Sequence, residues 1–220
     1  MTAIALSRNE VLALCTKAAR GAGFGWGLAE EAGAAAAWLW AAGIDGPGVL
    51  AAHLATARDW ASHAPARAPQ DWRAPHGLPA CPVALGAALA DHADLPGGPL
   101  PGSRLALGPV AAPLLLLPFV HAVAVGRGRM CTLVGDEATY VHDLRDRWAA
   151  AATAGLGGPV QTLVLTVTDG TMPTTAPAGP PRRTTPAATV QALEALALNT
   201  TVPASAASRA GAGPATHDSD

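Results

Sequence analysis

From Leu105 to Val125 the chain carries no Asp, Glu, Lys or Arg. In length alone such a run is enough to cross a bilayer. Arg104 precedes it, and Arg127 and Arg129 follow it. Yet Pro109, Pro113 and Pro118 fall inside it, together with Gly108 and His121. A helix in lipid has to satisfy every backbone donor and acceptor within itself. Each proline removes one donor and clashes with the preceding turn. The run therefore predicts a buried core segment of a globular domain, and membrane insertion is disfavoured.

Composition sets the size of that core. Half of the 220 residues are hydrophobic and 14% are charged, well below the usual charged fraction of about 25%. A disordered polyampholyte and a coiled coil are both excluded on that ground. The length predicts one domain. Much of the apolar half is alanine, so the core has to be built from Leu, Val, Trp and closely packed Ala. A net charge of −2 leaves no electrostatic footprint for nucleic acid or an acidic membrane. Lysine occurs once, at Lys17, and arginine supplies the other basic residues. That bias, with the alanine and proline, looks like a GC-rich bacterial genome.

Cys15, Cys81 and Cys131 are odd in number and widely spaced, and no CxxC occurs. They predict free buried thiols in a reducing cytosol rather than a zinc or dithiol site. The opening MTAIALSRNE lacks a basic n-region and a long apolar h-region, so no signal peptide is expected. The cellular location expected is cytoplasmic.

The pattern divides the chain into a helical part (1–60), a Pro/Gly-rich connection with a short helix (61–102), a sheet-containing part (103–200) and a tail (201–220). Ser7 and Glu10 have capping-box spacing, and Val11, Leu14, Cys15 and Ala18 recur at helical intervals. Gly21 and Gly23 end that helix. A second is predicted from Trp26 to Ala42, with Gly43 as its stop, and a third from Pro47 to about Trp60. A short helix is predicted over Val83–Ala90. Met130–Val134 and Ala138–Leu144 flank a turn at Gly135-Asp136-Glu137 and read as a hairpin. Val160–Thr168 is the clearest strand, with Leu163, Leu165 and Val167 on one face. A Pro-rich connection is expected from Gly170 to Pro186, and a last helix over Pro186–Asn199.

The candidate chemistry is sparse. Arg20, Gly21, Gly23 and Gly25 lead into the second helix. Glycines allow backbone N–H groups to turn inward, and a helix N-terminus favours an anion. No strand precedes this turn, and Trp26 stands where a dinucleotide fingerprint wants its third glycine. In the tail, Ser208, Arg209, Gly211 and Gly213 form a second donor-rich group beside Asp218 and Asp220. Seven histidines occur without HxH, HExxH or HxxxH spacing, so no metal is expected. His121, set in the apolar run, reads as a hydrogen-bonded core residue. No Gly-x-Ser-x-Gly elbow is present. No catalytic residue and no cofactor is assigned.

Two resemblances attach to these residues. RGAGFGWGLAEEAG (20–33) and WLWAAGIDG (38–46), with TVPAS (201–205) and SRAGAG (208–213), resemble a proteobacterial family known as a domain of unknown function. That resemblance implies that the two glycine-bearing ends belong together. Residues 7–54, through AAGIDGPG, are similar to the opening of the malate/L-lactate dehydrogenase-type oxidoreductases that use NAD(P). That family carries Ser-His-Gly after the aspartate. Here Gly46-Pro47-Gly48 follow Asp45, so no catalytic residue carries over.

The expected fold is α+β. Three N-terminal helices pack on a small, mainly antiparallel sheet, covered by a C-terminal helix. The expected function is a small-molecule enzyme or binding domain, with an anionic ligand held between the Arg20–Gly27 turn and the Ser208–Gly213 tail. The alternative is a non-catalytic subunit, with a protein partner or a second copy of itself.

Overall fold

The computed structural model describes residues 2–56, 59–64, 71–135, 139–141, 154–170 and 182–200. The tail residues Ser208, Arg209, Gly211 and Gly213 lie outside these, as do Asp136 and Glu137 of the predicted hairpin turn. The fold is α+β, with two antiparallel sheets.

The first two N-terminal helices form as the sequence predicts, while the third, expected to reach about Trp60, ends at Thr56, and Trp60 opens a separate 3-10 turn. Helix α1 (Arg8–Gly21) opens on Ser7, whose side chain accepts from the Glu10 backbone while Glu10 returns a bond to the Ser7 N–H. Helix α2 (Trp26–Ala41) is alanine-rich, with Ala29, Ala32, Ala35, Ala36, Leu39 and Trp40 buried. Small side chains let its neighbours approach closely. A Cβ on Gly33 would stand 2.0 Å from Thr16 Oγ1 of α1, and one on Gly46 would stand 2.0 Å from the Ala36 carbonyl oxygen. Helix α3 (Gly46–Thr56) thus begins in backbone contact with α2.

A two-stranded ribbon not expected from the sequence joins residues 3–7 to residues 182–186. Strand β1 (Ala3–Ser7) pairs antiparallel with the strand Arg182–Pro186, in the register Ile4 to Thr185. The Pro-rich connection predicted as far as Pro186 therefore stops short of Arg182. The four-stranded sheet comprises β2 (Arg104–Ala111), β3 (Arg129–Val134), β4 (Thr139–Val141) and β5 (Val160–Asp169), in the order β2-β5-β3-β4. The ribbon strand Arg182–Pro186 is β6. Leu163, Leu165 and Val167 are fully buried, as the alternation predicts. Strands β3 and β4 form the predicted hairpin.

The uncharged run is a strand, a turn and a helix: β2, a 3-10 turn at Pro113–Leu116, and α5 (Leu117–Arg127). Each proline sits where a missing N–H is tolerated. Pro109 is on the end strand, and Pro113 and Pro118 open their helical turns. No described helix is long and apolar enough to cross a membrane. Helix α4 (Pro82–Asp91) packs on α5, and α5 packs on β3.

The C-terminal helix α6 (Ala187–Leu198) packs chiefly on α1 and α3. It stands beside the ribbon, whereas the sequence reading laid it over the sheet. The reason is that β6 pairs with β1, which fixes the start of α6 next to the start of α1.

Candidate functional site

The Arg20–Gly27 turn is a helix stop. Gly23 has φ +102°, the Gly23 N–H donates to Arg20 O and the Phe24 N–H donates to Ala19 O. This is the paired bonding of a Schellman motif. Those two N–H groups are therefore spent on α1. The Arg20 guanidinium donates to Phe24 O at 2.7 Å. Gly21 touches α6: a Cβ there would meet Leu196 O at 1.8 Å, and Asn199 donates to Gly21 O at 3.1 Å. Nothing lies within 4 Å of a Cβ built on Gly25. The turn thus meets the end of α6, where the chain leads into its last twenty residues.

A second Schellman motif closes α2 and positions an acid. Gly43 has φ +96°, its N–H donates to Trp40 O, and the Ile44 N–H donates to Leu39 O. The chain then turns through Asp45 into α3. Asp45 Oδ1 accepts from the Gly48 N–H at 3.2 Å, which caps α3. It also accepts from Thr185 Oγ1 at 3.1 Å, and Thr185 is buried. Two residues along β6, Arg183 donates to Trp40 O at 2.5 Å and to Gly43 O at 2.7 Å, with its guanidinium 4.8 Å above the Trp40 ring. The ribbon strand therefore grips the α2–α3 turn at both ends and fixes Asp45.

Asp45 borders a cavity of about 410 Å³. Asp45, just before α3, and Gly48, Val49 and Ala52 within it line one side, the β2–α5 connection contributes Ala112 and Leu114, and residues 156–159 close the other side. Among the described residues Asp45 is the one ionisable side chain in a lining of Gly, Ala, Val, Leu and Pro. Ala112 adopts φ +40°, ψ +61°, a left-handed conformation that costs a non-glycine residue about 1–2 kcal/mol. Its N–H is anchored on Pro159 O at 2.8 Å. Backbone strain of this kind concentrates where a binding surface requires it.

A second arrangement pairs a thiol with an imidazole. His53 Nε2 lies 3.7 Å from Cys81 Sγ, and the His53 ring stacks on Trp60 at 3.9 Å. Burial, with a smaller effect from His63, pushes the His53 pKa down to about 3. Burial pushes Cys81 up to about 11, against the opposing N–H groups of Ala84 and Val83. A thiolate–imidazolium nucleophile needs the reverse shifts, so this pair is held neutral. Cys15 is raised to about 12 by burial and by the Asp45 charge, and Cys131 to about 11 by burial. All three cysteines are buried and free. A thiol reagent such as Ellman's should titrate none of them in the native protein and three after denaturation. Stoichiometric reaction without unfolding would contradict the burial.

Among the described residues no group of three metal-ligating side chains occurs. A wider hollow of about 680 Å³ lies between α1 and α6, bordered by Leu14, Lys17, Val190 and Glu194. Of its charges, Glu10 is spent on the Ser7 N–H and on Arg182 at 3.2 Å, and Lys17 and Glu194 stand on the faces of α1 and α6.

The fold and the cavity define a class: an α+β domain whose helical layer holds one oriented carboxylate beside an apolar hollow. Over residues 6–81 the chain is similar to a family described as a protein of unknown function (DUF3726). That segment contains Asp45, Gly48, Val49 and Ala52, and stops before the residues of the other walls. Comparison with curated proteins and with solved structures finds no match.

Sequence reasoning missed this site. The signal in reach was Gly43 followed by Asp45 and Gly48, a helix stop running directly into a helix cap.

Proposed function

We propose that the protein is a small-molecule-binding domain whose ligand occupies the Asp45 cavity. The observation that carries this reading is one carboxylate, fixed by Gly48 and Thr185, in a wall whose other described residues are apolar. Ligand pockets are typically built this way, apolar with few placed polar groups. Free buried thiols support a reducing compartment such as the cytoplasm. An NAD(P) oxidoreductase reading draws on the likeness of residues 7–54, and Gly46-Pro47-Gly48 after Asp45 supply it with no histidine.

The test is a fragment screen by thermal shift and by ligand-observed NMR, on the wild type and on Ala52→Phe, which fills the cavity. A ligand at about one hundred times its Kd should stabilise the wild type by about 2.7 kcal/mol and leave the variant unmoved. Equal stabilisation of both proteins by every hit would overturn the reading.

A second reading places an anion at the Arg20–Gly27 turn. The Asn199 to Gly21 bond favours it, because it holds the end of α6, shortly before residue 201, at that turn. Under it, phosphates or carboxylates stabilise the wild type, and Arg20→Ala and Arg209→Ala each abolish the effect. Stabilisation that survives both substitutions would rule it out.

A further inference from the structure

We infer that the ligand of the Asp45 cavity is an organic cation: an ammonium or similar donor on a compact apolar body. This rests on the reading of the cavity as a binding site, and it names the chemical class that the site selects. Asp45 Oδ1 already takes two hydrogen bonds, from Gly48 and Thr185. Oδ2 takes none among the described residues. The absence of a side chain on Gly48 keeps Oδ2 open, since a Cβ there would stand 2.4 Å from it.

Among the described residues the remaining lining carries no basic side chain to neutralise the acid. The nearby Arg183 is committed to the carbonyls of Trp40 and Gly43. An anionic ligand would meet the carboxylate's charge across an apolar wall of low dielectric, where like charges repel most strongly. A hydroxyl would satisfy one lone pair and leave the charge uncompensated. A bare divalent ion needs several oxygen ligands, and among the described residues Asp45 has no partner acids with which to form such a group. An ammonium satisfies both demands with one group, by a charge-assisted hydrogen bond. Leu114, Leu156 and Val49 then cover its apolar body.

The experiment compares benzylamine, benzyl alcohol and benzoate by calorimetry and by amide shifts at Gly48, Gly157 and Gly158. The three probes share one ring and differ in charge. Benzylamine should bind the wild type at least roughly tenfold more tightly than benzyl alcohol, and benzoate most weakly. Asp45→Asn keeps an oxygen for the α3 cap and should erase the advantage of the amine while leaving the alcohol unchanged. Gly48→Ala, which crowds Oδ2, should reduce the same advantage. Benzyl alcohol binding as tightly as benzylamine, in a manner lost in Ala52→Phe, would overturn the cationic ligand and leave the binding site standing. No saturable binding of any probe in the wild type would overturn both.

Discussion

Replacing Gly46 by alanine is expected to destabilise the protein by about 3 kcal/mol, at the upper end of ordinary overpacking. The added methyl would stand 2.0 Å from Ala36 O and 2.8 Å from Ala36 C. Both are backbone atoms of α2, so no rotamer change can relieve the contact. Helix α3 must move away from α2 instead, and that separation unpacks buried Leu50 and Leu54 behind it. Asp45 and Gly48 travel with α3, so ligand affinity at the cavity should fall in the same variant. Urea unfolding gives the stability, and the fragment assay gives the affinity. Gly27→Ala is the control: it lies in the first turn of α2 with nothing within 4 Å of its Cβ. Helix propensity predicts a gain of about 0.5–1 kcal/mol there. If Gly46→Ala proved as harmless as Gly27→Ala, the close α2–α3 contact that positions the site would be refuted.

That contrast also explains what was legible in the sequence. The Ser7–Glu10 cap, the alternation of β5 and the proline breaks in the uncharged run are local patterns, and each element formed where its own residues demanded it. The ribbon was illegible because β1 and β6 are five residues each and nearly the whole chain apart. Neither half shows pairing by itself, and RRTTP reads as the end of a Pro-rich loop until Ile4 lies opposite Thr185. The cavity was illegible for the same reason. Its acid comes from a local turn, but Leu114 and Pro159 reach it only through the sheet. The glycines at 21 and 23 were legible as a turn. Their pattern alone does not say whether their N–H groups face a ligand or their own helix, and Gly23 and Phe24 face the helix. His53 and Cys81 belong to no spacing motif, because an α3 face and the residue before α4 bring them together.

Acid should destabilise this protein well above the carboxylate range, through His53. Burial holds its folded pKa near 3, against about 6.5 for an unfolded histidine. The folded state therefore keeps the ring neutral while the unfolded chain takes up a proton. The stabilising contribution is complete above pH 6.5 and is lost as pH falls from there toward 3, at up to about 1.4 kcal/mol per unit. Between pH 7 and pH 5 the expected loss is about 2 kcal/mol. His121, also lowered by burial, adds a contribution of the same sign. Glu10 and Asp71, whose pKa values are lowered chiefly by hydrogen bonds from Ser7 and Arg73, lose theirs only at lower pH, so they do not contaminate this window. His53→Phe keeps a ring against Trp60 and removes the proton site. Its urea midpoint should fall by much less than the wild-type midpoint between pH 7 and pH 5, leaving the His121 part and an opposing part from Glu31, whose pKa burial raises. Parallel pH profiles for the two proteins would mean that the neutral, buried imidazole beside Cys81 is not the source of the acid sensitivity.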